Sequence, residues 1–297
     1  HKEYRRQRQM CIRDSAYIMI FTDKGRAYWL KVFEIPDVGP DGRGKAIANL
    51  VQMEATERIA ALLAVKEFDD TRFIVMGTRH GIVKKTELSA FSNPRAGGII
   101  AMGVEDGDAV MGVQLTNGSN EIFIGTRDGM SIRFPEDDVR PMGRTAYGVK
   151  GIALRDGDEV VGLDVVDPDA ALLTITENGY GKRTAMDEYR IQSRGGYGLI
   201  SIETSERNGR VVGLACVTPD HDMLIISQSG MILRTPAADA RVIGRNTQGV
   251  RLINIDESDK VVSMARLDSE DEVVPETDAS EGPAAPADAT PGDESGS

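Results

Sequence analysis

The chain has 297 residues, of which 40% are hydrophobic and 28% are charged, and its formal net charge is −12. Two cysteines are too few for a disulfide framework, and three histidines leave metal sites and histidine-dependent nucleophilic catalysis short of ligands and bases. No apolar run approaches the roughly 18 residues of a membrane span, and no secretory signal is visible. We therefore expect a cytoplasmic protein without a membrane partner.

The first segment, HKEYRRQRQMCIRDS over 1–15, shows no hydrophobic periodicity. It resembles the conceptual translation of a sequencing adapter, as seen at the ends of metagenomic gene predictions. We predict a non-native leader over 1–15, place the start of the folded domain at residue 16, and expect the native chain to continue upstream.

One short phrase then returns five times, as in GTRDGMSIRF at Gly125–Phe134. Each copy is centred on a glycine, and successive glycines are 56, 48, 50 and 51 residues apart. The Asp128-Gly129 pair is typical of a β-hairpin with a type I′ turn. Four positions after the glycine the first copy has Trp29, and the other four have a basic residue: Lys85, Arg133, Arg183 and Arg234.

A second glycine phrase keeps the same period: GKAIANL, GIIAMGV, GVKGIAL, GLISIET and GVRLINI, which begin at residues 44, 98, 148, 198 and 249. An arginine precedes each copy by one to four residues: Arg43, Arg95, Arg144, Arg194 and Arg245. Two phrases locked to a period near 50 indicate one structural unit used five times.

The segments between the phrases, such as RFIVMGT and ALLTITE, are short, β-branched and bounded by Gly, Asp or Asn, which is typical of strands. Each unit has room for about four strands, as in one propeller blade. Met53–Val65 is the best helix candidate, but the matching segments of later units favour a strand, so we predict a strand. The prediction is an all-β, propeller-like domain of about five four-stranded blades over 16–267.

The residues that could carry chemistry favour structural roles. His80 and His221 lie in predicted turns, Cys216 lies in an apolar strand where a lone cysteine is usually buried, and acidic runs such as EDGD and RDGD recur as tight turns at blade edges. GRGKA, over 42–46, lacks the spacing of a phosphate-binding loop. We expect no catalytic residue, metal site or cofactor in this chain.

The basic residues of the two phrases are the strongest functional signal. Equivalent positions of consecutive blades lie on one circumference of a ring, so these residues predict a curved positive belt that attracts a polyanion. Because aromatics are few and no recognition helix is predicted, we expect sequence-tolerant contact with the backbone of duplex DNA, accompanied by bending. The candidate contacts are Arg43, Lys45, Lys84, Lys85, Arg95, Arg133, Arg144, Lys150, Lys182, Arg183, Arg194, Arg234, Arg245 and Arg251.

The last segment, 268–297, contains ten Asp or Glu, four Pro and no Lys or Arg. This composition predicts a disordered acidic tail. The tail holds most of the negative net charge, so the repeats can carry a positive belt in spite of it. It either competes with DNA for that belt or only keeps the chain in solution.

Several motifs resemble the C-terminal domain of the bacterial DNA gyrase A subunit. They are DKGRAYWLKVFEIP, RGKAIANL, GTRHGIVKKT, FSNPRAGGIIA, IRFPEDDVRPMGRTAYGVKGI, TENGYGKRT and IGRNTQGVRLI. The resemblance implies a β-pinwheel, a propeller-like ring whose blades exchange strands, with DNA wrapped around a basic perimeter. It also implies that the remainder of the A subunit, together with the gyrase B subunit, completes a heterotetramer of two A and two B subunits, which uses ATP and Mg²⁺ through other domains to introduce negative supercoils.

Two departures from that family leave alternatives open. The family has six blades, and its first blade carries a Gln-Arg-Arg-Gly-Gly-Lys-Gly box that is absent from this sequence; the nearest match, QSRGGYG, belongs to a later blade. The resemblance therefore implies a fragment that lacks the first blade and the catalytic tyrosine. The alternatives are the C-terminal domain of the topoisomerase IV A subunit, a protein-binding propeller and, less favoured, a propeller enzyme.

Overall fold

The structure is a computed structural model, and it describes residues 17–35, 46–256 and 258–267. The expected leader over 1–15 and the expected tail over 268–297 lie outside the described residues. In the described part of the chain the regular elements are β-strands and one-turn 3₁₀ segments, and no helix there is long and apolar enough to cross a membrane.

The strands form five sheets that share one strand order. From one edge to the other, each sheet has a strand of six or seven residues, the two strands of a hairpin, and a two-residue strand; the fifth sheet has the first three of these among the described residues. The prediction of an all-β fold with about five blades is confirmed. In that order the first sheet has β3 (Ile59–Val65), β1 (Tyr17–Thr22), β2 (Arg26–Lys31) and β6 (Ile99–Ile100), and the second has β7 (Val110–Thr116), β4 (Phe73–Thr78), β5 (Ile82–Glu87) and β10 (Val149–Lys150). The third sheet has β11 (Val160–Val165), β8 (Glu121–Thr126), β9 (Met130–Pro135) and β14 (Leu199–Ile200), and the fourth has β15 (Val211–Val217), β12 (Ala171–Thr176), β13 (Tyr180–Ala185) and β18 (Val250–Arg251). The fifth sheet has β19 (Val261–Leu267), β16 (Asp222–Ser227) and β17 (Ile232–Pro236).

The long edge strands form the hub of the fold. β3, β7, β11, β15 and β19 contact one another in succession, so we call them the inner strands. Apolar side chains fill the space between blades; one cluster joins Met19 and Phe21 of the first blade to Ile74 and Met76 of the second. The two-residue strands lie at the opposite edge of each sheet and define the perimeter. The strand predicted over Met53–Val65 is present as β3, from Ile59 onward.

Each two-residue outer strand comes from the following repeat. β6 follows the second hairpin in the chain but pairs with β2 of the first sheet, where Arg26 lies opposite Ile100. In the same way β10 pairs with β5, β14 with β9 and β18 with β13. Each repeat therefore supplies the outer strand of the preceding blade, which is the strand exchange that the resemblance implies. As a result, two consecutive repeats contribute to the perimeter edge of each of these four blades.

The hairpin turns differ in detail from the predicted type I′ turn. The Gly129 N–H donates to the Thr126 carbonyl at 3.1 Å, so Arg127 and Asp128 are the central residues and Gly129, at φ +86°, follows them. This is the three-residue loop that ends on a residue in the left-handed region. Glycine is required for a second reason, because a Cβ at residue 129 would lie 2.2 Å from the carbonyl oxygen of Ile202 in the exchanged segment.

The recurring acidic runs cap these turns. An aspartate just before an inner strand accepts a hydrogen bond from a backbone N–H of the hairpin turn in the same blade, which satisfies a donor that the turn leaves unpaired. The bonds run from His80 N to Asp108 (3.0 Å), from Asp128 N to Asp158 (2.9 Å) and from Ser229 N to Asp259 (3.0 Å). These carboxylates are therefore structural, as the sequence predicts.

Candidate nucleic-acid interface

The basic residues of the first phrase reach into the next blade. Arg133 donates through Nη1 to the carbonyls of Met186 (2.8 Å) and Tyr189 (3.1 Å), at the 3₁₀ segment after β13. Arg183 makes the equivalent bonds one blade later, to the carbonyls of Ala240 (2.8 Å) and Ala238 (3.0 Å). Both guanidinium groups therefore clamp neighbouring blades together.

Lys85 and Arg234 occupy the same strand position as Arg133 and Arg183, and each forms an ion pair with a carboxylate. Lys85 is 3% exposed, and its Nζ lies 2.8 Å from Oε1 of the fully buried Glu136. Arg234 Nε lies 2.7 Å from Oδ2 of Asp222 in the adjacent strand of its own blade. The sequence-based expectation placed Lys85, Arg133, Arg183 and Arg234 on an exposed belt. The structure differs from this expectation, because Lys85, Arg133 and Arg183 use hydrogen-bond donors to bind groups of the neighbouring blade.

Lys84 and Lys182 are fully buried, which also differs from the expected belt. Lys84 Nζ donates to the carbonyls of Ala101 (2.6 Å) and Arg144. Burial, assisted by the nearby Arg144 charge, lowers the pKa of Lys84 to about 7. Burial likewise lowers the pKa of Lys182 to about 8, with Glu188 opposing and Arg245 assisting. Neither ammonium is placed to meet a phosphate in this structure.

The arginines of the second phrase lie on the perimeter. Their guanidinium Nη1 groups donate to backbone carbonyls of the outer strand one blade earlier: Arg144 to Ile100 (3.4 Å), Arg194 to Lys150 (3.0 Å) and Arg245 to Ile200 (3.0 Å). One or two of the five N–H donors of each group are used in this way, and the side chains are half-buried. They therefore fix the outer strands while each side chain stays partly exposed to solvent.

Three further candidates are exposed at this edge. Lys150 and Arg251 are outer-strand residues at equivalent positions of β10 and β18, and Arg95 stands in the loop before β6. Arg251 also donates to the Tyr180 hydroxyl at 2.9 Å, which holds its side chain against the blade. Arg43 and Lys45 lie outside the described residues.

Sequence reasoning missed a third set of arginines. Arg140, Arg190 and Arg241 each stand four residues before an arginine of the second phrase, and all three are exposed. Within the described chain, no hydrogen bond or ion pair engages their guanidinium groups. The signal was present as an Arg-x-x-x-Arg pattern with the period of the repeat, in VRPMGR, YRIQSR and ARVIGR.

We use the term perimeter set for nine basic residues at this edge: Arg95, Arg140, Arg144, Lys150, Arg190, Arg194, Arg241, Arg245 and Arg251. Two sets, Arg140, Arg190 and Arg241 and then Arg144, Arg194 and Arg245, come from equivalent positions of consecutive blades, so they follow the curvature of the ring. Among the described residues no group of three or more His, Cys, Asp or Glu side chains could hold a metal ion.

A family model described as "DNA gyrase C-terminal domain, beta-propeller" matches residues 16–66, 72–117, 120–167, 170–218 and 221–268. The five matches coincide with the five repeats. The DNA gyrase A subunit of Halalkalibacterium halodurans is 54% identical over 264 residues, which is 89% of this chain and 32% of the relative. Its counterpart in Salmonella typhimurium is 44% identical over 250 residues, or 84% of this chain and 28% of the relative. The chain therefore spans about a third of the length of these relatives.

Solved structures give the same grouping. A C-terminal domain of DNA topoisomerase IV superposes with a TM-score of 0.80 at 26% identity, covering 86% of this chain and 80% of that one. A DNA gyrase A C-terminal domain superposes with a TM-score of 0.74 at 26% identity, covering 85% and 83%. With five repeats matched in register and the exchanged outer strands in place, this chain belongs to the DNA gyrase C-terminal domain family of β-propellers.

Proposed function

We propose that this chain binds duplex DNA along the perimeter and bends it. The observation that carries the proposal is the perimeter set, nine cations at repeated positions of a curved edge, of which Arg140, Arg190 and Arg241 are exposed and free of partners among the described residues. Family membership and the gyrase relatives support the same function.

Contact with the DNA backbone is the mode that suits these residues. Arginine binds phosphate through a planar fork of donors, and the described part of the chain has no helix that could enter a major groove. Bending 20–30 base pairs by 40–90° costs about 1–6 kcal/mol. Contacts repeated from blade to blade along a curved edge offset that cost, and they carry no sequence information.

The gyrase relatives, of which this chain spans about a third, support a role within a larger enzyme. We propose that the chain acts in the cytoplasm as the DNA-wrapping part of a gyrase, and that its partners in a heterotetramer are the remainder of the gyrase A subunit plus the gyrase B subunit. ATP hydrolysis with Mg²⁺, strand cleavage and strand passage then belong to other domains of that assembly. The TM-score of 0.80 to a topoisomerase IV domain makes that enzyme the second candidate. Relaxed-plasmid supercoiling by the complete enzyme, compared with decatenation, separates the two.

The test of DNA binding removes the three arginines whose donors are not used by the fold. The triple variant Arg140→Gln, Arg190→Gln, Arg241→Gln is compared with wild type on two unrelated 40-base-pair duplexes over a range of salt. Each phosphate contact contributes about 0.9 to the log–log salt slope, so we expect the slope to become shallower by about 3. Both duplexes should lose affinity to the same extent.

The matched control is the triple variant Arg58→Gln, Lys66→Gln, Arg155→Gln. These residues are also exposed: Arg58 and Lys66 directly border the inner strand β3, and Arg155 lies in the turn between β10 and the inner strand β11. The control removes the same charge and should leave the slope within about one of wild type. Equal losses in both triple variants would mean that only net charge matters, and an effect on one duplex alone would contradict backbone contact.

A further inference from the structure

Two buried lysines hold the loops that carry perimeter arginines. Lys84 in β5 and Lys182 in β13 occupy the same strand position, two residues after the start of each strand, and both are fully buried. Each side chain crosses to the loop that precedes an outer strand of the next repeat. The residue contacted is in each case the arginine of the second phrase, Arg144 or Arg245, through its backbone carbonyl.

The partners of these ammonium groups are backbone carbonyls and one hydroxyl, not carboxylates. Lys182 Nζ donates to the carbonyls of Gly244 (2.6 Å) and Arg245 and to the Thr247 hydroxyl (3.1 Å). Glu188 lies near Lys182 without bonding its Nζ, and Arg144 is the charge that acts on Lys84. A buried charge without a paired opposite charge is costly to a fold. Two such lysines at equivalent positions are therefore not explained by the stability of the blades.

The loops are held from both sides. The lysine fixes the carbonyl of Arg144 from within, while the Arg144 guanidinium bonds the Ile100 carbonyl of the outer strand one blade earlier. The loop of Arg245 repeats this arrangement with Lys182 and the Ile200 carbonyl. Main chain and side chain of each arginine are thus both fixed.

The third blade provides a comparison within the same molecule. Ile132 occupies the lysine position in β9, so the loop of Arg194 has no buried ammonium beneath it. The backbone bonds of that loop match those of the others, because Gln192 N donates to Arg133 O as Met142 N does to Lys85 O. The lysine is therefore one difference between loops that share this backbone bond.

We propose that Lys84 and Lys182 are positioning residues, whose hydrogen bonds to the Arg144 and Arg245 loops hold these arginines in the geometry that meets DNA. The DNA part of this proposal rests on the proposed function; the loop geometry does not. Neither lysine touches DNA itself.

The test measures loop opening by amide hydrogen exchange on the whole chain without DNA. Three equivalent amides report on closure: Gly103 N bonds Ala146 O in the Arg144 loop, Ala153 N bonds Gly196 O in the Arg194 loop, and Glu203 N bonds Thr247 O in the Arg245 loop. Lys84→Met should raise exchange at Gly103 roughly tenfold and leave Ala153 unchanged, because the buried carbonyls of Ala101 and Arg144 lose their Nζ donor in the closed loop. Lys182→Met should do the same at Glu203.

The control is Ile132→Met, which places the same side chain at the third position without removing a donor. It should leave exchange at Ala153 within about threefold of wild type. The melting temperature distinguishes loss of positioning from general unfolding. Removing a buried charge relieves its desolvation cost, so Lys84→Met should melt no lower than wild type while its loop opens. A lower melting temperature with uniform loss of protection would overturn the proposal.

A pH series provides a second readout that a purely apolar contact would not show. In the closed loop, burial and the charge of Arg144 lower the pKa of Lys84 to about 7. When the loop opens, the pKa of Lys84 returns toward its ordinary value of 10.5. The open form then binds more protons, so the closed form is favoured as pH rises. Protection of Gly103, corrected for the intrinsic exchange rate, should increase at least about tenfold from pH 6 to pH 9. The same series on Lys84→Met should be flat, and a flat series in wild type overturns the inference that Lys84 Nζ is buried only while the loop is closed.

DNA affinity separates this proposal from the proposed function. Lys84→Met should weaken duplex binding about threefold to tenfold, since one arginine is no longer held in place. Faster exchange at Gly103 with unchanged affinity would overturn the positioning role. If wild type does not bind DNA at all, the proposed function fails, while hydrogen exchange still decides whether the lysine fixes the loop.

Discussion

A basic side chain at the end of a strand brings a charge that can meet a phosphate and donors that can satisfy backbone carbonyls. Arg133 uses its donors on the carbonyls of Met186 and Tyr189 in the next blade, whereas Arg140 is exposed and free of partners among the described residues. Both recur with the period of the repeat. Recurrence alone therefore marks a position as important without saying whether folding or binding needs it.

The clamp made by Lys85 yields a prediction about stability. Lys85 Nζ neutralises Glu136, which is fully buried and also accepts bonds from the Thr116 hydroxyl (3.2 Å) and Asn120 N (3.1 Å). Lys85→Met leaves this carboxylate without its cation, and breaking a buried pair in this way costs about 3–5 kcal/mol. We expect a clear fall in the denaturant midpoint. Lys85→Met combined with Glu136→Gln should recover much of it, and a double variant as unstable as the single one would contradict the pairing.

At the scale of single elements, the hairpin turns and the exchanged strands depend on each other. Gly129 has φ +86°, and its carbonyl accepts bonds from the N–H groups of Ser201 and Ile202 in the segment that follows β14. The turn is thus both the end of one hairpin and the docking point of a strand from the next repeat. A hairpin signal in the sequence shows the first role and is silent on the second.

Two glycine substitutions test this dual role. Gly107 has φ +85°, and a Cβ there would meet nothing within 4 Å, whereas a Cβ at Gly129 would lie 2.2 Å from the Ile202 carbonyl oxygen. Gly107→Ala should cost about 1–2 kcal/mol from the left-handed backbone alone. Gly129→Ala should cost more, and it should also raise amide exchange at Ser201 and Ile202. Equal melting temperatures for the two variants would show that the exchanged strand does not depend on this close approach.

At the scale of the whole molecule, net charge is a poor guide to what the surface binds. The chain carries a formal net charge of −12, yet the perimeter set places nine cations along one edge. Within a Debye length of about 8 Å at physiological ionic strength, a phosphate responds to those cations and not to the total.

The curvature of that edge leads to a prediction about DNA shape. If the nine perimeter cations each neutralise one phosphate, the log–log salt slope of wild-type binding should be about −8. A duplex that follows the edge must bend, so the chain should accelerate ligase-catalysed circularisation of a fragment of about 150 base pairs, roughly one persistence length. Tight binding without faster circularisation would mean that the DNA contacts only a straight part of the perimeter.

The sequence by itself determined the repeat, the strands, the hairpins and the structural role of the acidic runs, which the structure shows to be capping. These features follow from short-range chemistry: glycine where φ must be positive, β-branched residues in strands, and aspartate beside unpaired N–H groups. It also showed which basic residues recur. The tertiary structure decided that Lys84 and Lys182 lie beneath arginine loops, that Arg133 and Arg183 clamp neighbouring blades, and that Arg140, Arg190 and Arg241 are left exposed. The physical reason is that every outer strand belongs to the following repeat, so the carbonyls that Lys84, Lys182, Arg133 and Arg183 bond in the next repeat lie about 53 to 63 residues away in the chain.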